Sequence, residues 1–198
     1  GRTAIALESG GDRHVDDAQS LCDLLRVRFI HFGRHEDLTA SITAGRAAIE
    51  ATPPGAAELP GRRSTLANAL SERYQTGGAL EDLHEAIQYT RDAVASDAEP
   101  SPTELSNLCV SLRLLFECTD RIEHVDEAVE AGRAAVGAVP KGTPILGVYL
   151  GNLGGALLAR FRRTSGHADL DEAIDALRRS VTAMSATSPE RAMMLTNL

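Results

Sequence analysis

The chain has no tryptophan, only three cysteines, three tyrosines and four phenylalanines, and a single lysine, Lys141, among twenty basic residues. It also lacks any apolar stretch unbroken by Asn, Arg or Gly over the roughly 18 residues a membrane span needs, and it opens without the basic-then-apolar pattern of a signal peptide. These absences make a cytoplasmic protein without a membrane anchor the default expectation. Basic residues are outnumbered, giving a net charge of -8, which disfavours a nucleic-acid surface, because phosphate binding depends on Lys and Arg displacing counterions. At 43% hydrophobic and 24% charged over 198 residues, the composition excludes disorder and collagen and suffices for a sizeable core. The excess of arginine over lysine reflects coding bias as readily as function.

The few aromatics mark a repeat. Phe29, Tyr74, Phe116 and Phe161 lie 45, 42 and 45 residues apart. Eight residues before each stands a leucine, Leu21, Leu66, Leu108 or Leu153, and the series continues at Leu198. Four residues after each of the first four come Leu25, Leu70, Leu112 and Leu157. Thirteen residues after each aromatic comes Ile42, Ile87, Val129 or Ile174, followed seven residues on by Ile49, Val94, Val136 or Val181. The three residues missing from one period fall between Val94 and Leu108, in a loop.

Each period reads as two helices. Leu150, Leu153, Leu157 and Phe161 keep helical spacing, and so do Leu170, Ile174, Leu177 and Val181 after Thr164-Ser165-Gly166. Pro53-Pro54, Pro100 with Pro102, Pro140 with Pro144, and Pro189 fall in the links from one pair to the next, where a ring without an N–H cannot continue a helix. Acidic residues open the second helix (Glu36, Asp37; Glu81, Asp82; Asp126, Glu127; Asp169, Asp171) and arginines close the first (Arg28, Arg73, Arg160, Arg162). The helix dipole favours that arrangement, so these charges read as structural. The expected organisation is one repeat domain over 1–198, with helix pairs at 15–52, 59–97, 103–139 and 144–185. Residues 1–10 read as the end of a partial repeat, since Gly1-Arg2-Thr3-Ala4-Ile5 matches Gly45-Arg46-Ala47-Ala48-Ile49, and 189–198 as the start of a further one. Such incomplete ends suggest an internal piece of a longer protein and a homo-oligomer formed through them.

Two-helix units with Leu153-Gly154 on the first helix and Ala173, Leu177 and Ser180 on the second resemble the tetratricopeptide repeat family, lengthened from about 34 to about 45 residues. Ala128, Gly132, Ala135 and Pro140, and likewise Ser41, Gly45, Ala48 and Pro53, keep that family's spacing. Its usual large aromatic on the second helix is replaced by Gly45, Thr90, Gly132 or Leu177. The resemblance implies an all-α, right-handed superhelical solenoid of stacked antiparallel helix pairs that binds a protein or peptide in its concave groove, with no catalysis and no cofactor. The phrase Leu150-Gly151-Asn152-Leu153-Gly154, with Arg160-Phe161, Gly166 and Asp169-Leu170-Asp171-Glu172-Ala173-Ile174, resembles the arrays found beside CHAT-type caspase-like protease domains and in other large bacterial signalling proteins. That likeness implies a sensing or partner-binding segment whose effector domain lies elsewhere.

Candidate ligand residues follow from the register. Asn107, Asn152 and Asn197 precede the repeated leucine, with Thr65 and Ser20 in the same place. A core leucine next door sets these side chains beside the buried seam, toward the surface the first helices share. There an amide, both donor and acceptor, can grip an extended peptide backbone, or else tie its helix to the neighbouring repeat. Asp23, Arg26, Asn68 and Arg113 lie a turn or two onward, where arginine can pair with a ligand carboxylate or remain solvated. The series Arg2, Arg46, Arg91, Arg133 and Arg178 on the second helices is expected to brace the outer side.

Other chemistry is weakly signalled. Cys118 and His124 flank a turn as a conceivable nucleophile and base, but His124 occupies a helix-opening position and no oxyanion feature accompanies it. His31 and His35 have metal-ligand spacing but straddle Gly33 at the turn, so no metal is expected. Gly147, Gly151, Gly154 and Gly155 lack the strand and the Gly-Lys-Ser/Thr ending of a phosphate loop and read as close helix packing. Met193-Met194 reads as buried seam. Reduced thiols are expected at Cys22, Cys109 and Cys118. The sequence therefore points to a protein-interaction scaffold, with a structural spacer or self-assembly element as the alternative and a Cys-His hydrolase as the weakest.

Overall fold

A computed structural model of the chain describes residues 2–96, 100–140 and 142–183, with side chains from Val15 onward. Among the described residues there are eight helices and no strand: α1 (Arg2–Phe32), α2 (His35–Glu50), α3 (Leu59–Gln75), α4 (Leu80–Ser96), α5 (Pro102–Thr119), α6 (Ile122–Gly137), α7 (Pro144–Thr164) and α8 (His167–Ala183). They group into two compact units, residues 1–98 with α1–α4 and residues 99–198 with α5–α8, where the sequence reads as one domain. In each unit two antiparallel hairpins stack in succession: α2 and α1 both meet α3, and α6 and α5 both meet α7. The fold class is the expected all-α stack of helix pairs.

Local chemistry sets the helix ends. Proline occupies the first turn of α3, α5 and α7, where its fixed φ suits a helix start and its missing N–H has no intrahelical acceptor to lose. Four residues after the marker aromatic, the backbone turns left-handed at Gly33 (φ 67°), Asp120 (φ 52°) and Ser165 (φ 58°). Each donates its N–H to the aromatic residue's carbonyl, at 2.7, 2.8 and 2.7 Å. That closes the helix with a left-handed cap. No proline stands near Gly10-Gly11, and α1 runs unbroken through them. Two glycines weaken a helix without forbidding it.

The hairpins close through a matched pair of positions. Seven residues before the aromatic, the first helix carries Cys22, Ala67, Cys109 or Gly154; sixteen after it, the second helix carries Gly45, Thr90, Gly132 or Leu177. A Cβ on Gly45 would lie 3.1 Å from Cys22 Sγ, and one on Gly132 3.0 Å from Cys109 Sγ. On Gly154 it would come within 2.8 Å of Leu177 Cγ. Large side chain faces small, and the larger one changes helix between repeats. The same glycines receive the next hairpin: Leu66 Cδ1 lies 3.2 Å from the Cβ position of Gly45, and Leu153 Cδ1 3.1 Å from that of Gly132. Leu66, Leu70, Ile42 and Ala86 then form one core cluster, and Leu146, Leu150 and Ala176 another.

α7 corrects one sequence expectation. By length and composition it is apolar enough to cross a membrane, because its short polar interruptions do little to lower its average. Its buried residues, Leu146, Gly147, Tyr149, Leu150, Leu153, Gly154 and Leu157 among them, are those of a core helix, and 56% of the apolar stretch is inside the protein.

The pairing at Gly154 is testable by a mutant cycle. Gly154→Ala gains about 1 kcal/mol of helix propensity but forces a methyl against Leu177, a clash of the kind that costs about 1–3 kcal/mol. We expect a lower thermal midpoint by calorimetry. Leu177→Ala alone leaves a cavity costing about 2–5 kcal/mol, and the double variant should lose clearly less than the two singles together. Strict additivity would show that the two positions do not share one space.

Candidate functional site

The candidate surface is the one presented by the first helices of the hairpins, and three sets of polar contacts at constant sequence separation hold it. The first set, nine residues apart, crosses each turn. Arg28 grips Asp37 through Nε (2.7 Å) and Nη2 (2.6 Å), Arg160 grips Asp169 likewise (2.9 and 2.6 Å), and Arg73 grips Asp82 in the same way. The carboxylates are buried or nearly so. Arg160 also reaches Asp126 at 3.0 Å. Opposition to the helix dipole is therefore only part of the reason for these charges: each arginine that ends a first helix, apart from Arg162, is paired two-pronged with an aspartate that opens the second. In the third hairpin both partners are replaced together. Leu115 stands in the arginine's place and is buried, while His124 stands in the aspartate's place and its Nδ1 meets Thr119 Oγ1 at 3.0 Å.

The second set, 39 residues apart, joins second helices. Arg46 grips Glu85 (Nε 3.1 Å) and Arg133 grips Glu172 (Nε 2.9 Å), so within each unit one arginine of the series ties neighbouring second helices together. The carboxyl of Glu172 is held below the usual range, chiefly by its hydrogen bonds from Arg133.

The third set, 46 residues apart, joins first helices to one another. In the first unit, Arg26 pairs with Glu72 at 2.7 Å and Arg62 with Asp16 at 2.8 Å. In the second, Tyr149 and Thr103 share a hydroxyl contact at 2.7 Å, and the Asn152 amide donates to Ser106 Oγ at 2.9 Å.

The predicted ligand residues fall into this frame. On the first unit, Ser20 is exposed, Thr65 and Asn68 are half-buried on α3, and Asp23 accepts from Gln19 Nε2 at 3.1 Å. Arg26 is committed to Glu72, whose carboxyl is pushed up by burial despite the arginine. On the second unit, Asn107 is half-buried on α5 and Arg113 bonds Glu117 one turn on. The Arg113 side chain lies over α7, with Nε 3.7 Å from the Cβ position of Gly155. Asn152 serves the tie between helices described above. Asn197 lies outside the described residues, as do Met193, Met194, Leu195 and Leu198. The structure thus brings Thr65 and Asn68 together on one helix, and Asn107, Arg113 and Asn152 onto the adjoining α5 and α7. Sequence reasoning missed the partners Asp16, Glu72, Ser106 and Thr103. Complementary polar residues at a fixed spacing of 46 were the signal that would have found them.

Residues 61–97 match a tetratricopeptide repeat family model. The matched segment is similar to a tetratricopeptide repeat. It comprises most of α3 and all of α4, about a fifth of the chain, and repeats of this family mediate protein–protein interaction. The other hairpins share its register of leucine, aromatic and small residue, though in them two residues rather than four separate the first helix from the second. No curated protein matches the chain.

The remaining candidates take structural places. His31 ends α1, His35 begins α2, and both are exposed on either side of the turn; among the described residues no group of three or more His, Cys, Asp or Glu is placed to hold a metal. Gly147, Gly151, Gly154 and Gly155 lie within α7, and the Gly147 carbonyl accepts from Ser180 Oγ at 2.6 Å. All three cysteines are free thiols, Cys22 and Cys109 buried and Cys118 exposed. Burial pushes the Cys22 thiol up and that of Cys109 up to about 12.

Two measurements check this geometry. The hydrogen bonds from Arg28, with its charge and that of Arg34, hold Asp37 below the usual carboxylate value of about 3.9. A depressed folded-state value means stabilisation that is complete above the unfolded value and lost as pH falls through the folded one. Arg28→Gln should therefore be less stable at neutral pH and decline less steeply in acid, read by thermal melts between about pH 6 and 2; parallel pH profiles would deny the pairing. For the thiols, a disulfide reagent at neutral pH should consume Cys118 alone in the folded chain, with Cys22 and Cys109 reacting only in denaturant. Rapid native labelling of Cys109 would contradict its burial.

Proposed function

We propose that the chain is a protein-interaction scaffold that takes an extended peptide or protein segment along the surface of its first helices, as the partner-binding part of a larger signalling protein of the kind that carries a CHAT-type protease domain. The observation that carries the reading is the matched repeat on α3 and α4, whose first helix sets Thr65 and Asn68 half-buried and side by side one turn apart. Hydroxyl and amide groups there suit main-chain recognition, since they donate and accept without selecting a side chain. In the second unit Asn107 holds the register of Thr65, and Arg113 adds a cation beside α7 that suits a ligand carboxylate. Asn152 and Arg26 act differently, setting the distance between first helices and shaping the surface without reading the ligand. Free thiols, two of them buried, fit a reducing compartment such as the cytoplasm.

A random peptide library displayed on phage and panned against the whole chain supplies the probe. Selected peptides should lose at least tenfold in affinity with Asn68→Ala or Asn107→Ala, measured by fluorescence anisotropy on variants whose helicity by circular dichroism matches the parent's. Asn152→Ala should keep most of the affinity and lower the thermal midpoint, by the loss of its interhelical hydrogen bond to Ser106, worth about 1 kcal/mol. A library that yields no binder, or binders indifferent to both substitutions, would favour the spacer reading.

A further inference from the structure

In the second unit, Leu146, Leu150 and Ala176 form a core cluster against which Val136 and Val139 pack. Two repeats earlier, the same five places in the first unit hold Leu59, Arg63, Tyr89, Ile49 and Thr52. Leu59 is buried, and Ile49 and Tyr89 pack against apolar neighbours, so three of the five keep their character. Arg63 does not. It stands half-buried on α3 where Leu150, 1% exposed, stands on α7 and Leu105 on α5. A guanidinium so placed loses hydration, which a carboxylate partner ordinarily offsets. Among the described residues Arg63 has no such partner: Nη1 donates to Ser96 Oγ over a long 3.4 Å, and Nε is buried without an acceptor. Its neighbour Arg62, by contrast, bonds both Thr52 and Asp16.

Arg63 also lines an open surface cavity of about 450 Å³, whose walls include Pro54, Ala56, Leu59 and Pro60 at the α2–α3 link and Ser96 at the end of α4. That volume lies in the range of small-ligand pockets. Glu58 stands exposed and outside the lining, which leaves the wall with one charge, a positive one. Arg63 is two residues from Thr65 and so about 200° away round α3. The cavity therefore lies apart from the surface ascribed above to an extended ligand.

We propose that this cavity is a second docking site and takes the C-terminal end of a partner protein, the chain-end carboxylate gripped by Arg63 and an aliphatic last side chain lodged against Pro54, Leu59 and Pro60. Charge and polarity select that occupant. A planar guanidinium meets a carboxylate with two parallel hydrogen bonds, and Arg63 has that capacity unspent. The remaining walls offer a peptide little to bond: the prolines carry no N–H, and the Ser96 hydroxyl already donates to the Asp92 carbonyl. An acidic residue in mid-chain would bring desolvated peptide groups on both its sides, whereas a chain end brings them on one.

A phage library that displays random peptides with free C-termini, panned against the whole chain, supplies the probe. Selected peptides should end in an aliphatic residue, and exchanging the terminal carboxylate for a carboxamide should cost at least tenfold in affinity by fluorescence anisotropy. Arg63→Leu, which installs the residue found at the same place on α7, should cost as much with the free acid and little with the amide. Its thermal midpoint should be no lower than the parent's, since leucine suits that core position. An arginine kept only for its contact with Ser96 would show the reverse, a lower midpoint with peptide affinity intact. Arg179→Leu, which removes a surface arginine of α8, should leave affinity unchanged. A library without binders, amides that bind as well as acids, or Arg63→Leu with undiminished affinity would each overturn the proposal. So would peptides that tolerate the amide but not neutralisation of an internal Asp or Glu.

Discussion

Space is the governing constraint here. At the first and third hairpins the two helices approach closely enough for the following leucine, Leu66 or Leu153, to lie across their junction, and that is possible only while the two facing side chains stay small in total. Cys22 with Gly45 and Cys109 with Gly132 achieve this with the glycine on the second helix; Gly154 with Leu177 achieves it the other way round. Leu66 and Leu153 then seat on Gly45 and Gly132, linking one hairpin's internal packing to its contact with the next. Within each unit the polar contacts at 9, 39 and 46 residues act on helices already brought together by this apolar seam.

That constraint explains what the sequence disclosed and what it withheld. Helix pairs were legible because Leu21, Leu66, Leu108 and Leu153 hold one phase with the marker aromatics, a pattern that needs no knowledge of partners. The polar partnerships were less legible: Arg28 and Asp37 both sit where the helix dipole favours them, so each had a sufficient explanation alone. Their joint replacement by Leu115 and His124 in the third hairpin reveals the pairing, because two unrelated positions change together.

The candidate surface divides between recognition and construction. Of the residues predicted from register, Arg26 and Asn152 are engaged between first helices, and Arg113 has a partner one turn away. A residue facing the shared surface of neighbouring helices meets the adjacent helix before it meets a ligand, and register alone does not separate the two. Thr65, Asn68 and Asn107 stand half-buried on first helices beside Arg62 and Glu72 on α3, and Ser106 on α5, which tie those helices to their neighbours.

The two-pronged grips at Arg28, Arg73, Arg160, Arg46 and Arg133 bear on the near absence of lysine. A planar guanidinium engages both carboxylate oxygens at once, whereas an ammonium is a point charge that satisfies one of them well. At five sites, then, exchange for lysine would keep the charge and lose the hinge angle it sets. Whatever the genome's coding preference, drift between the two basic residues would be checked at these positions by stereochemistry.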